Sequence, residues 1–376
     1  MLDHKVWASR IVASLKRFSP SGKYRVNVPD IPIRYISYLD AAKQMPGAIF
    51  KAARLNHANT EIQQSSTLKS KKSLRLLRAL AIAKECARDG IDHIHAHWPY
   101  AAQIAHLVNQ LNDTPYSVSI HAHEVEHDHG HFPVVFRSLK FATFCNSAGR
   151  NRVLSRLDPQ AEQKSHLVYH GVNLESFQPA PPVTPNSPLR VISAGRLTRT
   201  KGFDNLIKGC AALKHKGIKV DLTILGSGQL EVELWELARN LEFESNLRMP
   251  GWIDHGEVAD RIRNSHVFAL MANTNYNDGL PNVALEAMAC GRPVILSPLP
   301  AAREAVTQNV DGFVLESPDD IDGLVDILES LAADPRILTQ MGEAARDTIE
   351  SQFNANAHSQ RLLDLFFDQP LEVASS

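Results

Sequence analysis

The stretch LRVISAGRLTRTKGFDNLI, residues 189–207, decides how the rest of the chain is read. A β-branched apolar run ends at Gly195, a polar turn carries Arg196 and Lys201, and an amphipathic stretch follows Gly202. Strand, turn and helix in that order form the repeating unit of α/β proteins, whose buried parallel strands are apolar almost throughout. The pattern recurs downstream: VDLTILG (220–226), VFALMA (267–272), PVILS (293–297) and GFVLE (312–316) read as strands separated by helical stretches. Upstream, IDHIHA (91–96), YSVSIHA (116–122), FATFCN (141–146) and HLVYHG (166–171) read as strands around the helical AAQIAHLVNQL (101–111) and AGRNRVLSRL (148–157). From Pro318 to Phe367 the patterning is helical only.

This alternation predicts an α/β protein with two mostly parallel, doubly wound sheets. Between them ESFQPAPPVTPNSPLR (175–190) places five prolines in the ten positions from Pro179 to Pro188, which no helix or central strand tolerates. The expected organisation is a Rossmann-like domain over 1–174, a Pro-rich linker over 175–190 and a second Rossmann-like domain over 191–350. A helix over 351–376 is expected to pack back on the first domain. Ligands of open α/β sheets sit beyond the C-terminal ends of the strands, so a cleft between two such domains is the expected site.

Composition sets the outer bounds. The 376 residues allow two or three domains at about 150 residues each. With 44% hydrophobic and 22% charged residues, collagen, coiled coil and disorder are excluded. No apolar run approaches the roughly 18 residues of a membrane span. Residues 1–18, MLDHKVWASRIVASLKRF, mix charge into the apolar pattern, read as a helix and lack a signal peptide's apolar core. Cys86, Cys145, Cys210 and Cys290 form no CxxC pair, which points to a reducing, cytoplasmic setting. The net charge of −1 conceals an asymmetry. Residues 1–178 hold 23 Lys and Arg against 14 Asp and Glu, and the remainder 17 against 27. A basic half can meet anionic lipid or an anionic polymer.

The candidate chemistry follows the strands. Arg196 and Lys201, five apart across a strand-to-helix turn, can converge on one anion with a helix N-terminus behind them; two solvated loop charges are the blander reading. ILGSGQL (224–230) puts Gly226 and Gly228 after the next strand, which a tight turn alone would explain. NDGLPNVALEAMACGRPVI (277–295) is the strongest segment. Gly279, Leu280 and Pro281 fall at a helix start, where the amides up to Asn282 point outward. Glu286, eight residues after Asp278 on roughly the same face, can accept two hydrogen bonds from a diol. The alternative there is an N-cap Asp followed by a solvated Glu.

Taken together, YHGVNLESFQP (169–179), AGRLTRTKGFDNLI (194–207) and GLPNVALEAMACGRPVI (279–295) resemble the family-4 retaining glycosyltransferases of the GT-B fold, of the exopolysaccharide or lipid-linked glycan type. The resemblance runs from IHAHW (94–98) to the C-terminal helices. It implies two Rossmann-like domains facing a cleft and a hexosyl transfer from a nucleotide sugar with retained configuration. By the same resemblance Arg196 and Lys201 grip the donor diphosphate, Glu286 holds the ribose, and the main chain of Gly279, Leu280, Pro281 and Asn282 supports sugar and phosphate. Ile253, beside Trp252, contacts the base. Asp278 takes the place of the family's first glutamate, and His121 that of a histidine beside the sugar; these two are the catalytic candidates. No metal or other cofactor is expected, since fixed cations and helix amides can stabilise a leaving diphosphate. The expected partners are the donor, a glycan or lipid-linked acceptor and an anionic membrane surface on the inner face of the plasma membrane. Nucleic acid is not expected, because the basic residues are not interleaved with aromatics.

Two departures stand against the family pattern. Asp278 is one carbon shorter than the usual glutamate. The family's first strand is expected to be missing, the chain starting in the helix that follows it; a truncated, non-catalytic family member that binds nucleotide or glycan as an assembly partner is therefore the competing reading. A sugar-nucleotide epimerase would need a further acid–base pair, and a nicotinamide dehydrogenase a GxGxxG turn after its first strand. Nine of the seventeen histidines fall between His93 and His131. The run HAHEVEHDHGH (121–131) matches no defined metal spacing and reads as a solvated cleft loop rather than a metal site. His95 and His97 are expected to shape the cleft. The basic LKSKKSLRLLRALAIAKECARDG (68–90) is either a surface helix with one face in the core or a membrane-attachment helix.

Overall fold

The computed structural model of the chain describes residues 11–14, 33–36, 72–121, 131–180, 188–273 and 279–367. Two compact units emerge. The first comprises Met1–Ile120, His127–Thr143 and Val153–His166; the second comprises His121–Glu126, Phe144–Arg152 and Leu167–Ser376.

The first unit opens with two strands, β1 (Ile11–Ser14) and β2 (Ile33–Ile36), paired in parallel as a separate sheet. This corrects the expectation that the chain starts in a helix over residues 1–18, since residues 11–14 form a strand. Ile11 and Val12 are β-branched, which favours extended backbone, and a parallel partner supplies the hydrogen bonds. The basic helix is α1 (Lys72–Asp89), followed by β3 (Ile94–His97), α2 (Pro99–Asn112), β4 (Tyr116–Ile120), α3 (Phe132–Ser138), β5 (Ala142–Phe144), α4 (Ser147–Leu154) and β6 (Ser165–Leu167). Strands β3 to β6 lie in sequence order in one sheet. Helix α1 turns Ala79, Ala83 and Cys86, spaced at four and three residues, onto Ile104, Leu107, Val108 and Leu111 of α2. Two of its cations point the same way. Arg75 is buried and donates to Gln103 at 2.7 Å, and Arg78 donates to the Tyr100 hydroxyl at 2.8 Å. Part of the basic stretch thus serves helix packing, as the surface-helix reading has it. Among the described residues no helix is long and apolar enough to cross a membrane.

The second unit holds β7 (Leu189–Ala194), α5 (Phe203–His215), β8 (Val220–Leu225), α6 (Glu231–Asn240), β9 (Leu247–Gly251), α7 (His255–Arg263), β10 (Val267–Leu270), α8 (Asn282–Ala289), β11 (Val294–Leu296), α9 (Ala302–Ala305) and β12 (Gly312–Val314). Its sheet is parallel in the order β12-β11-β10-β7-β8-β9, the doubly wound Rossmann order. Every residue of β10 and β11 is buried, as helices on both faces require. Helices α10 (Ile321–Ala333), α11 (Pro335–Gln352) and α12 (Ala355–Phe367) follow. Asp320 caps α10 through Gly323 N–H and Asp334 caps α11 through Arg336 N–H. The start of α12 is held by the segment leaving β6: Val172 and Phe353–Ala355 exchange backbone hydrogen bonds of 2.7 and 3.1 Å. A Cβ at Gly171 would lie 2.3 Å from Ala355 Cα, so glycine is required there.

Two outcomes are expected of this packing. Gly226 has φ +125° and a Cβ there would meet the Gly195 carbonyl oxygen at 2.1 Å, whereas Gly217, at φ +84°, has open space around it. Gly226→Ala should destabilise by about 2–4 kcal/mol and Gly217→Ala by only about 1 kcal/mol in urea unfolding. Equal losses would refute the close-approach argument. The second outcome concerns His266, which is buried and whose Nδ1 accepts Arg190 N–H at 2.8 Å. Burial, helped by the Arg190 and Arg292 charges, pushes its pKa down from 6.5 to about 4. The unfolded chain therefore takes up this proton first, and stability present above pH 6.5 is lost as pH falls towards 4. About 2 kcal/mol should disappear between pH 7 and 5, and His266→Gln should remove that component of the slope.

Candidate functional site

Strand order reverses between β7 and β10: β8 and β9 lie on one side, β11 and β12 on the other. Crossovers leaving to opposite faces open a crevice at the C-terminal ends of the two central strands. The turn after β7, residues 195–202, borders it on one side, and residues 271–273 and the start of α8 on the other.

Backbone packed on backbone holds this edge. Gly202 has φ +63° and caps α5, and a Cβ there would lie 1.8 Å from the Met271 carbonyl oxygen just past β10. Asn273 N–H donates to the Thr200 carbonyl at 2.9 Å, which ties the two borders together. On the other flank Gly195 N–H donates to Leu225 O, Leu197 N–H to Ser227 O and Gly226 N–H to Gly251 O, at 2.9, 3.1 and 2.8 Å. A Cβ at Gly228 would stand 2.4 Å from Leu197 O. The two glycines of ILGSGQL are thus explained by loop-on-loop contact. The loops after β7, β8 and β9 consequently form one connected rim.

On this frame Arg196 is exposed, and the Cδ and Cε of Lys201 lie over Gly195, 3.6 Å from where its Cβ would stand. Helix α8 starts at Asn282 with Pro281 as N-cap, and no side chain caps it. Its first amides therefore face outward. Gly279 and Leu280 lead into that start, and Glu286, half-buried, shares a face with Asn282 one turn earlier. Ile253 follows β9 at the sheet's edge, half-buried against the core beside Trp252, which is 72% exposed. The arrangement brings Arg196, Lys201, Gly279 to Asn282 and Glu286 to the borders of the crevice. Ile253 sits two strands away on the connected rim. Asp278 lies outside the described residues.

His121 immediately follows β4 in the other sheet. Its ring lies 5.2 Å from that of His170, and Cys145, just after β5, completes a group whose ligating atoms all lie within 4.8 Å of one another. The His170 side chain hydrogen-bonds Asn282, and burial holds its pKa below the usual imidazole value against that bond. Of the histidine-rich run, residues 122–130 lie outside the described residues. His93 and His95 are engaged with the Ser117 hydroxyl at 2.7 Å each, and His95 also with Ser119 at 2.8 Å. His106 is buried against Tyr116 and Ser138. These three have structural partners, as expected for strand and helix histidines in a packed domain.

Sequence reasoning passed over Cys145, His170 and Glu304. The first two carried a signal, since both follow strand ends. Glu304, in α9, accepts the amides of Ser147 and Ala148 at 2.8–3.1 Å and the Tyr169 hydroxyl at 2.9 Å. A carboxylate there complements the positive end of α4. Burial, with the Glu304 charge next, pushes the Tyr169 phenol well above its ordinary value. Partners 157 residues apart leave no local trace in the sequence.

Comparison with known proteins places this geometry. Residues 176–348 match the family described as glycosyl transferases group 1. WcaL of Escherichia coli (strain K12), named as a colanic acid biosynthesis glycosyltransferase, is 31% identical over 199 residues, 52% of this chain and 49% of its own. The amylovoran biosynthesis glycosyltransferase AmsK of Erwinia amylovora is 28% identical over 206 residues, 54% of this chain and 50% of its own. The chain spans about half the length of these curated relatives. Among solved structures, Anabaena HepE in complex with UDP superposes with a TM-score of 0.70 at 16% identity, covering 90% of this chain and 86% of that one. Residues 176–348 thus resemble the group 1 glycosyl transferases, and the fold of the chain is that of the GT-B glycosyltransferases.

Proposed function

We propose that this chain is a retaining glycosyltransferase of the family-4 type, which moves a sugar from a nucleotide donor to a glycan or lipid-linked acceptor in surface polysaccharide biosynthesis. One observation carries the reading: the turn bearing Arg196 and Lys201 and the uncapped start of α8 flank the crevice where strand order reverses. That is where a doubly wound sheet binds phosphate esters. The relatives named for colanic acid and amylovoran synthesis, and the UDP held by a protein of the same fold, support it.

In this reading the departing diphosphate accumulates negative charge as the glycosidic bond lengthens. Arg196, Lys201 and the amides of Gly279, Leu280 and Asn282 stabilise that charge, and they do so without a metal. Glu286 accepts the ribose hydroxyls, and the Ile253 loop covers the base. His121 and Asp278 contact the transferred sugar, and the acceptor attacks on the face that the phosphate leaves. The basic N-terminal half draws the protein to anionic lipid at the membrane's inner face, where lipid-linked acceptors are found.

A panel of nucleotide sugars tested by calorimetry and by donor hydrolysis checks this. One donor should bind selectively, with release of its sugar that a chelator does not slow. Arg196→Ala and Lys201→Ala should each weaken donor binding about 10- to 100-fold, the 1.5–3 kcal/mol of a hydrogen bond to a charged group, and leave binding of the phosphate-free nucleoside unchanged. Arg196→Lys should recover part of the loss. If no nucleotide sugar binds, the proposal fails; if the nucleoside weakens equally, the cations do not face the diphosphate.

A further inference from the structure

We propose that His121, Cys145 and His170 form a zinc-type metal site at the ends of β4, β5 and β6. The three strands are consecutive neighbours in the sheet, and each contributes a residue at or just beyond its C-terminus. The ligating atoms all lie within 4.8 Å of one another. Donors of a tetrahedral zinc with Zn–N near 2.0 Å and Zn–S near 2.3 Å stand about 3.3–3.6 Å apart, so closure needs roughly 1 Å of side-chain movement. Two imidazoles and a thiolate suit zinc and disfavour magnesium or calcium, which take oxygen ligands. Three protein ligands leave a fourth position open.

The surroundings are built to hold these ligands. Asn146 Oδ1 accepts Gly149 N–H at 2.6 Å as a cap of α4, which fixes its amide, and its Nδ2 donates to Cys145 Sγ at 3.6 Å. The His170 ring is hydrogen-bonded to Asn282, so one ring nitrogen can be held while the other meets the metal. The set is distinct from the histidine-rich run read from spacing: of that run only His121 belongs to it. Resting on the proposed function, one consequence follows. A metal that captures His121 holds it away from the transferred sugar, so zinc should silence transfer rather than drive it.

The experiment uses the full chain, free of tags and treated with chelator, titrated with Co²⁺ as a spectroscopic probe. One equivalent should produce a thiolate-to-cobalt charge-transfer band, and Zn²⁺ should displace it. Cys86, Cys210 and Cys290 are buried, so the band reports Cys145. Cys145→Ser should abolish the band, and His170→Ala should weaken cobalt binding at least 10-fold, with both variants keeping the parent's circular dichroism and melting temperature. No band, or a band that survives Cys145→Ser, overturns the site. Zinc should lower transfer at least 10-fold in the parent, reversibly with chelator, and leave Cys145→Ser unaffected. A cobalt band without loss of transfer would leave the metal site standing and overturn the placement of His121 beside the sugar.

Discussion

The second unit depends on main chain packed directly against main chain at the C-terminal edge of its sheet. Gly226 meets the Gly195 carbonyl, Gly228 the Leu197 backbone and Gly202 the Met271 carbonyl, all closer than any side chain would permit. Loops are ordinarily where a fold is loosest. Here the loops after β7, β8 and β9 are joined by backbone hydrogen bonds, and the turn after β7 is joined to the end of β10. Such contacts fix where the main chain of the turn after β7 stands, while the Arg196 side chain it carries is exposed. The same contacts explain why the glycines carry no chemistry of their own and yet cannot be replaced.

The two sheets present different chemistry at corresponding ends. Around the crevice between β7 and β10 the groups are hard: guanidinium, ammonium and backbone amides, which match phosphate oxygens. At the ends of β4 to β6 they are soft: two imidazoles and a thiol. A hard anion and a soft cation do not compete for such sites. The division also bears on the charge asymmetry between the two halves. Some of the basic excess of the first half is spent inside it, with Arg75 buried on Gln103 and Arg78 over the Tyr100 ring. Net charge is therefore a coarse guide to what a surface offers.

What could be read in the sequence was whatever one segment states by itself. β7 with its turn, the buried runs of β10 and β11, and the start of α8 after Pro281 are local patterns, and they fold as read. β1 misled because Val6 to Phe18 also fits a helical stripe; a parallel partner more than twenty residues away decided the matter. Glu304 was invisible for the same reason on a larger scale, since its carboxylate has meaning only beside Ser147, Ala148 and Tyr169. His170 and Cys145 were quoted within strand patterns and never as a pair, because the sheet, not the spacing, brings them together. The GSG turn was legible as glycine-dependent, but its cause, the approach of Leu197 and Gly195, belongs to tertiary structure.

Asn282 links the start of α8 to the segment that leaves β6. Its main chain opens α8, so its amide faces the crevice, and this depends on Pro281 and not on its own side chain. Its side chain hydrogen-bonds His170, on the segment that leaves β6 and goes on to secure α12 through Val172. Many side chains could supply the amide; few could also hold an imidazole. Pro281 leaves the start of α8 without a side-chain cap, while the Asn282 side chain is engaged with His170. The segment leaving β6 and the first turn of α8 are thereby tied through the His170–Asn282 hydrogen bond.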